Sequence, residues 1–185
     1  MKVLLSLLFV KTGRVGGAES MAYNLANGLL TQGCILTVVA TRPGDLSAEF
    51  IAKVALNHNV TIKYTLSDRS RFIQEIILGF RREKYDVTIF PNYFCPLFVR
   101  RDLGAIITIV HDLQYRHYKQ NFPLIKRVWL SLSQKIALFK SSKVVAISDF
   151  VKCDLEIFYG EKYASKIVVV HNAIDWGRFG QKTVK

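Results

Sequence analysis

At 185 residues, with half the chain apolar and a mean hydropathy of +0.20, the sequence holds enough apolar surface for one domain with an almost fully buried sheet. A net charge of +12 points to an acidic partner: nucleic acid, an anionic membrane face or a phosphorylated substrate. Cys34, Cys95 and Cys153 are odd in number and lack C-x-x-C spacing, which argues against a disulfide framework or zinc site and suits a reducing cytoplasm; no apolar run reaches transmembrane length.

The first element is the apolar run Val3 to Phe9. Lys2 ahead of it imitates a signal peptide, but the run is short, no small-residue cleavage motif closes it, and a patterned helix follows. It therefore reads as a buried strand. The loop Lys11-Thr12-Gly13-Arg14-Val15-Gly16-Gly17 comes next, and Ala18, Met21, Ala22, Leu25, Ala26 and Leu29 then recur at helical spacing up to Gly33. Strand, glycine loop and helix N-terminus make an anion-binding corner.

Ile35–Ala40 reads as a second strand, Arg42–Asp45 as a turn, Leu46–Val54 as a short helix and Val60–Tyr64 as a third strand. Phe72, Ile73, Ile76, Ile77 and Phe80 form a helical stripe among Arg69, Arg71, Arg81, Arg82 and Lys84. Val87–Phe90 is a fourth strand, ending in Pro91-Asn92-Tyr93, and Ala105–Val110 a fifth, ending in His111-Asp112. Ile125, Val128, Trp129, Leu132, Ile136 and Phe139 share one face of the next helix. Val144–Ile147 is a sixth strand, Ser148 caps a helix carrying Val151, Leu155 and Phe158, and Ile167–Val170 is a seventh strand.

Apolar strands alternating with helices mean a three-layer α/β/α, Rossmann-like domain with a parallel sheet of about seven strands. Ligands of such sheets sit beyond the carboxyl ends of the strands, so Gly13–Gly17, Asn92-Tyr93, His111-Asp112 and Ser148 are expected on one rim. No Gly-Lys-Ser/Thr occurs, so the loop is not a Walker A loop. Its glycines do not follow G-x-G-x-x-G, and Thr41-Arg42 stands where an acid would hold a ribose, which disfavours a nucleotide-dependent oxidoreductase. His111, at the end of a buried strand, could meet a sugar hydroxyl or phosphate, and Asp112 is placed to cap the next helix. His58, His117 and His171 have weaker cases, and no metal cluster is visible. The two basic helices read as core on one side and solvated charge on the other; the alternative is docking on an anionic membrane. No recognised nucleic-acid module accompanies the charge, which argues against nucleic acid.

Together these features resemble the N-terminal, acceptor-side half of a GT-B-fold glycosyltransferase of the large retaining family four. Gly16-Gly17-Ala18-Glu19 resembles that family's G-G-x-E loop, Tyr85-Asp86-Val87 its entry to strand four, Val110-His111-Asp112 its central H-D, and Ala146-Ile147-Ser148 its next strand end. Lys166 to Asp175, with Phe179, resembles its interdomain segment, although His171 and Ala173 replace the usual Pro and Gly. The resemblance implies a domain over residues 1–175 and the start of a linker over 176–185. It implies that Arg14, Gly16, Gly17 and Glu19 face the diphosphate of a nucleotide-sugar donor and that His111 sits near the transferred sugar as the catalytic residue. Asn92, Tyr93 and Asp112 would shape the side of a saccharide or lipid-linked acceptor.

No cofactor or metal is implied. The family's donor-binding half, with its pair of glutamates, lies outside these residues, so the chain alone is expected to be inactive or to work with a separate donor-binding domain. The expected setting is cell-surface glycan synthesis in the cytoplasm or on the inner membrane face. The competing reading is a non-catalytic basic module that docks on an anionic membrane or a partner subunit.

Overall fold

The computed structural model describes residues 1–13, 16–66, 69–92 and 94–172, apart from the side chains of Ala55, Arg71 and Phe72. Arg14, Tyr93, the segment Ala173–Asp175 with Phe179, and the linker 176–185 lie outside the described residues. Seven strands, β1 (Lys2–Ser6), β2 (Ile35–Ala40), β3 (Val60–Tyr64), β4 (Val87–Phe90), β5 (Ala105–Val110), β6 (Lys143–Ala146) and β7 (Ile167–Val169), form one parallel sheet in the order β3-β2-β1-β4-β5-β6-β7. The order reverses between β1 and β4, which makes that junction the topological switch point. The first strand is shorter than the apolar run that signals it; Leu7 and Leu8 are buried beyond its end.

Six helices connect the strands among the described residues: α1 (Gly17–Thr31), α2 (Ala48–Ala55), α3 (Arg71–Gly79), the short α4 (Gln114–His117), α5 (Leu124–Lys140) and α6 (Asp149–Tyr159). Local chemistry sets their ends. The Ser47 hydroxyl accepts the Phe50 N–H at 3.1 Å to start α2, and Ser148 accepts the Val151 N–H at 3.2 Å to start α6. Beyond α1, the Gly33 N–H donates to Leu30 O and the Cys34 N–H to Leu29 O, the paired bonds of a Schellman ending.

The sheet residues alternate between two layers, as the two-residue period of a strand requires. Val3 and Leu5 of β1 join Ala22, Ala26 and Leu30 of α1 and Phe50 and Val54 of α2 in one core. Leu4 points the other way and packs with Leu78 of α3, Ile106 of β5 and Ala137 of α5. Val151 and Leu155 of α6 join Leu130 and Leu138 of α5 over β6 and β7. The α1–α2 layer covers only half of its face. Beside it a cavity of about 350 Å³ runs over Ile107, Ile109, Val145 and Ile147 and is closed on one flank by Leu25 and Leu29.

The opposite layer departs from the amphipathic expectation. On α3 the stripe Ile73, Ile76, Ile77 and Phe80 faces solvent, while Gln74 and Glu75 are buried. Gln74 explains the rotation. Its Oε1 accepts from Thr41 Oγ1 at 3.3 Å and Thr65 Oγ1 at 2.5 Å, and its Nε2 donates to Arg69 O at 2.7 Å. These bonds tie the helix to the ends of β2 and β3 and override its apolar stripe. On α5, Ser133 and Gln134 are buried beside Leu130, Ala137 and Leu138 while Ile125, Val128, Leu132 and Phe139 are exposed, but among the described residues no hydrogen bond to the Gln134 amide explains that orientation.

The loop between β4 and β5 closes at Gly104, whose φ of +65° is left-handed and whose added Cβ would lie 2.2 Å from Asp86 O. Gly104→Ala is therefore expected to cost about 1–3 kcal/mol or more, read as a lower urea midpoint at unchanged m-value. The cysteines give a second check. Burial pushes the Cys95 thiol up to about 12, Cys34 is buried, and Cys153 is exposed on α6. Alkylation of the native chain at about pH 8 should modify Cys153 alone, with the other two reacting only after denaturation.

Candidate functional site

The rim forms where β1 and β4 part. Chain leaving β1 passes through Thr12 and Gly13 and re-enters as Gly16 at the N-cap of α1. The N–H groups of Gly17, Ala18 and Glu19 occupy the first turn, where no intrahelical acceptor exists, and the helix dipole favours negative charge beside them. Gly16 and Gly17 are both exposed. The Glu19 carboxylate turns back and accepts the Gly16 N–H at 3.0 Å, so this acid holds the loop against its helix.

His111 follows β5 directly and is half-buried. Its Nε2 lies 3.1 Å from the Pro91 carbonyl at the end of β4. A carbonyl can only accept, so Nε2–H is the donor and Nδ1 is the ring nitrogen left to a ligand, an acceptor in the neutral ring. This bond fixes the ring across the β4–β5 seam, beside Asn92, which is also half-buried. The Asp112 carboxylate accepts the Gln114 N–H at 3.1 Å in an Asx turn ahead of α4; the N-cap is Leu113, so Asp112 orients the loop instead of capping the helix. Ser148 is committed to its own cap at the start of α6.

The sequence reading missed one device. Thr12 Oγ1 donates to Gly44 O at 2.8 Å and lies 3.2 Å from Asp45 Oδ1, while the other carboxylate oxygen of Asp45 accepts the Arg42 N–H at 3.0 Å. The glycine loop is thereby fastened to the turn after β2. A Pro-Gly-Asp turn signals itself in sequence, but a partner more than thirty positions upstream does not.

The other histidines lie elsewhere. His58 is exposed in the turn before β3, and His117 pairs with the buried Asp154 at 2.5 Å, joining α4 to α6. His171 Nδ1 lies 3.3 Å from Ile147 O, where His171 and Asn172 line the apolar cavity beside α1. Among the described residues no three His, Cys, Asp or Glu side chains gather into a metal-holding group, and no helix is long and apolar enough to cross a membrane.

An open parallel sheet with a glycine loop and helix N-terminus at its switch point, and a histidine at the end of β5, defines a Rossmann-like α/β domain, laid out as one half of a GT-B fold. The chain matches the family model Glycosyltransferase Family 4 over residues 15–178 and belongs to that family. Membership implies glycosyl transfer between a sugar donor and an acceptor. No curated protein matches the chain in sequence.

Removing the Asp45 carboxylate should loosen the loop while leaving the sheet intact. Asp45→Ala is expected to cost about 1 kcal/mol and to speed amide hydrogen exchange at Thr12 and Arg42, with exchange in β1 and β4 unchanged.

Proposed function

We propose that this domain forms one wall of a cleft in which a sugar passes from a nucleotide diphosphate to a saccharide or lipid-linked acceptor, with retention of configuration, in the assembly of a cell-surface glycan. The observation that carries the reading is the meeting of two groups at the switch point. The exposed first turn of α1 can receive a diphosphate, and His111, held by the Pro91 carbonyl, stands on the next strand but one.

The reaction breaks the bond between the anomeric carbon and the diphosphate oxygen and forms one to an acceptor hydroxyl, whose proton is lost. Charge develops on the departing diphosphate. Backbone N–H groups at Gly17 and the first turn of α1 are preorganised to meet it, and this electrostatic term lowers the barrier. Glu19 and Asp45 act through the loop they hold, and Arg14 is assigned to the same anion. Nδ1 of His111 positions the transferred sugar, while Asn92, Tyr93 and Asp112 belong to the acceptor side. Neither a metal nor a cofactor has a part in this scheme. The nucleotide itself is held by an opposite wall, supplied by a donor-binding domain in the same or a separate chain. One wall leaves the departing group half-contacted, so this domain by itself is expected to turn over no donor.

The test is sugar transfer with the donor-binding half present. His111→Ala should lower kcat by about 10²-fold, the scale of a lost positioning contact, with the donor KM changing far less. An unchanged kcat would overturn the role given to His111, and transfer by the domain with no donor-binding half would overturn the one-wall reading.

A further inference from the structure

The face formed by α3, α5 and the loop beside them is unusually apolar. Gln74, Glu75, Ser133 and Gln134 point into the protein beside Leu78, Leu130, Ala137 and Leu138, and a second set of apolar side chains on both helices points away from it. The exposed groups are large: Ile77 and Phe80 on α3, Leu132 and Phe139 on α5, and Ile125 with 86% of its surface in solvent. The loop after β4 extends the surface. Gly79 lets it press onto the end of α3, since an added Cβ there would meet Phe98 O at 2.4 Å, and the Arg100 N–H donates to Gly79 O at 2.9 Å. Leu97 and Phe98 are thereby displayed beside Phe80. Leu78 of α3 and Ala137 of α5 share one core beneath, so the stripes lie on adjoining helices of the same layer.

Charge identifies the occupant. The 17 residues of α5 include Lys126, Arg127, Lys135 and Lys140 and no acid. Arg82 and Lys84 stand exposed just past α3, while its one acid, Glu75, is buried. The opposite layer is different: α1 and α2 together carry Glu19, Glu49 and Lys53. Positive charge is thus concentrated on α5 and just past α3, beside the exposed apolar stripes, whereas α6 of the same layer carries Asp149, Asp154 and Glu156 against Lys152. A second copy would bring the same cations face to face, which disfavours self-association. Apolar side chains that are exposed along two helices and flanked by Lys and Arg match the layered chemistry of a bilayer surface: acyl boundary for the first, anionic headgroups for the second.

We propose that this α3–α5 face docks the domain on an anionic lipid bilayer, with Ile73, Ile77, Leu132 and Phe98 entering the headgroup–acyl boundary and the flanking lysines and arginines meeting lipid phosphates. The proposal does not depend on the glycosyl-transfer reading, and its readout is binding alone.

The test is co-sedimentation with vesicles of phosphatidylcholine containing roughly one third phosphatidylglycerol, against vesicles of phosphatidylcholine alone. Binding is expected only to the anionic vesicles and should weaken with salt. Lys126→Glu with Lys135→Glu should lower the partition coefficient by about fivefold or more for each residue changed. Ile77→Glu with Leu132→Glu should abolish binding with the circular dichroism and thermal midpoint retained, because both side chains are already in solvent. Leu56→Glu, at the end of α2 in the opposite layer, adds negative charge in the same way and should leave binding intact. Failure of the unchanged chain to bind anionic vesicles at low salt would overturn the proposal. So would equal loss in Leu56→Glu, or a concentration-dependent dimer, without lipid binding, that Ile77→Glu with Leu132→Glu dissolves.

Discussion

A parallel sheet buried in the middle of a domain must have both faces covered, because its strands are apolar throughout and its crossovers can return only over a face. In this chain the connections from β1 to β3 run one way from the switch point, and those from β4 to β7 run the other. Right-handed crossovers then put α1 and α2 on one face and α3, α5 and α6 on the opposite one, as the three core clusters record. The site, the half-covered apolar face and the outward stripes all follow from that division. The strand ends separate at the switch point and leave room for a ligand. Two helices cannot cover the α1 face over seven strands, and the cavity beside Leu25 is the uncovered remainder.

The described part of the rim is tied at identifiable points. Three short polar devices hold it: Glu19 on the Gly16 N–H, Asp45 on Thr12 and Arg42, and the Pro91 carbonyl on His111. Each spends one side chain to hold a backbone segment that has no regular structure. An anion-binding corner needs this, since N–H groups stabilise charge well only when their orientation is set before the charge arrives. The acids nearest the corner are committed in their bonding, as both carboxylates are occupied with backbone donors or the Thr12 hydroxyl.

Much of this was legible in the sequence. Strands β2, β3, β4 and β5 fall where the sequence places them, residue for residue: β2, β4 and β5 are largely buried apolar runs, and the edge strand β3 declares itself by its β-branched Val60, Thr61 and Ile62. The rim followed from topology, whereas Asp112, one residue ahead of the Leu113 N-cap, makes an Asx turn and does not cap α4. The orientation of α3 and α5 was not legible. Helical periodicity says that one face differs from the other, and only long-range bonds say which one turns inward. On α3 the deciding bonds join Gln74 to Thr65, just ahead of the helix, and to Thr41, on the connection after β2. The Thr12–Asp45 tie was invisible for the same reason, being polar, short-ranged in space and distant in sequence.

The two proposals meet in the geometry of the crossovers. Helix α3 follows β3 through a short loop and α5 follows β5 by way of α4; each ends ahead of the next strand, so both run back along the sheet from the carboxyl rim. Leu124, Ile125 and Val128 therefore stand at the rim end of α5, and Phe139 stands at the far end. A bilayer seated on this face would lie alongside the mouth of the cleft, on the side where Asn92 and the loop after β4 leave the sheet. An acceptor carried on a lipid would then search for the site within a surface, where tethering raises its effective concentration without any new contact to the acceptor itself. The buried Gln74 is the residue on which this arrangement turns. By holding α3 against the ends of β2 and β3 it turns the apolar stripe to the outside, where the proposed bilayer contact lies.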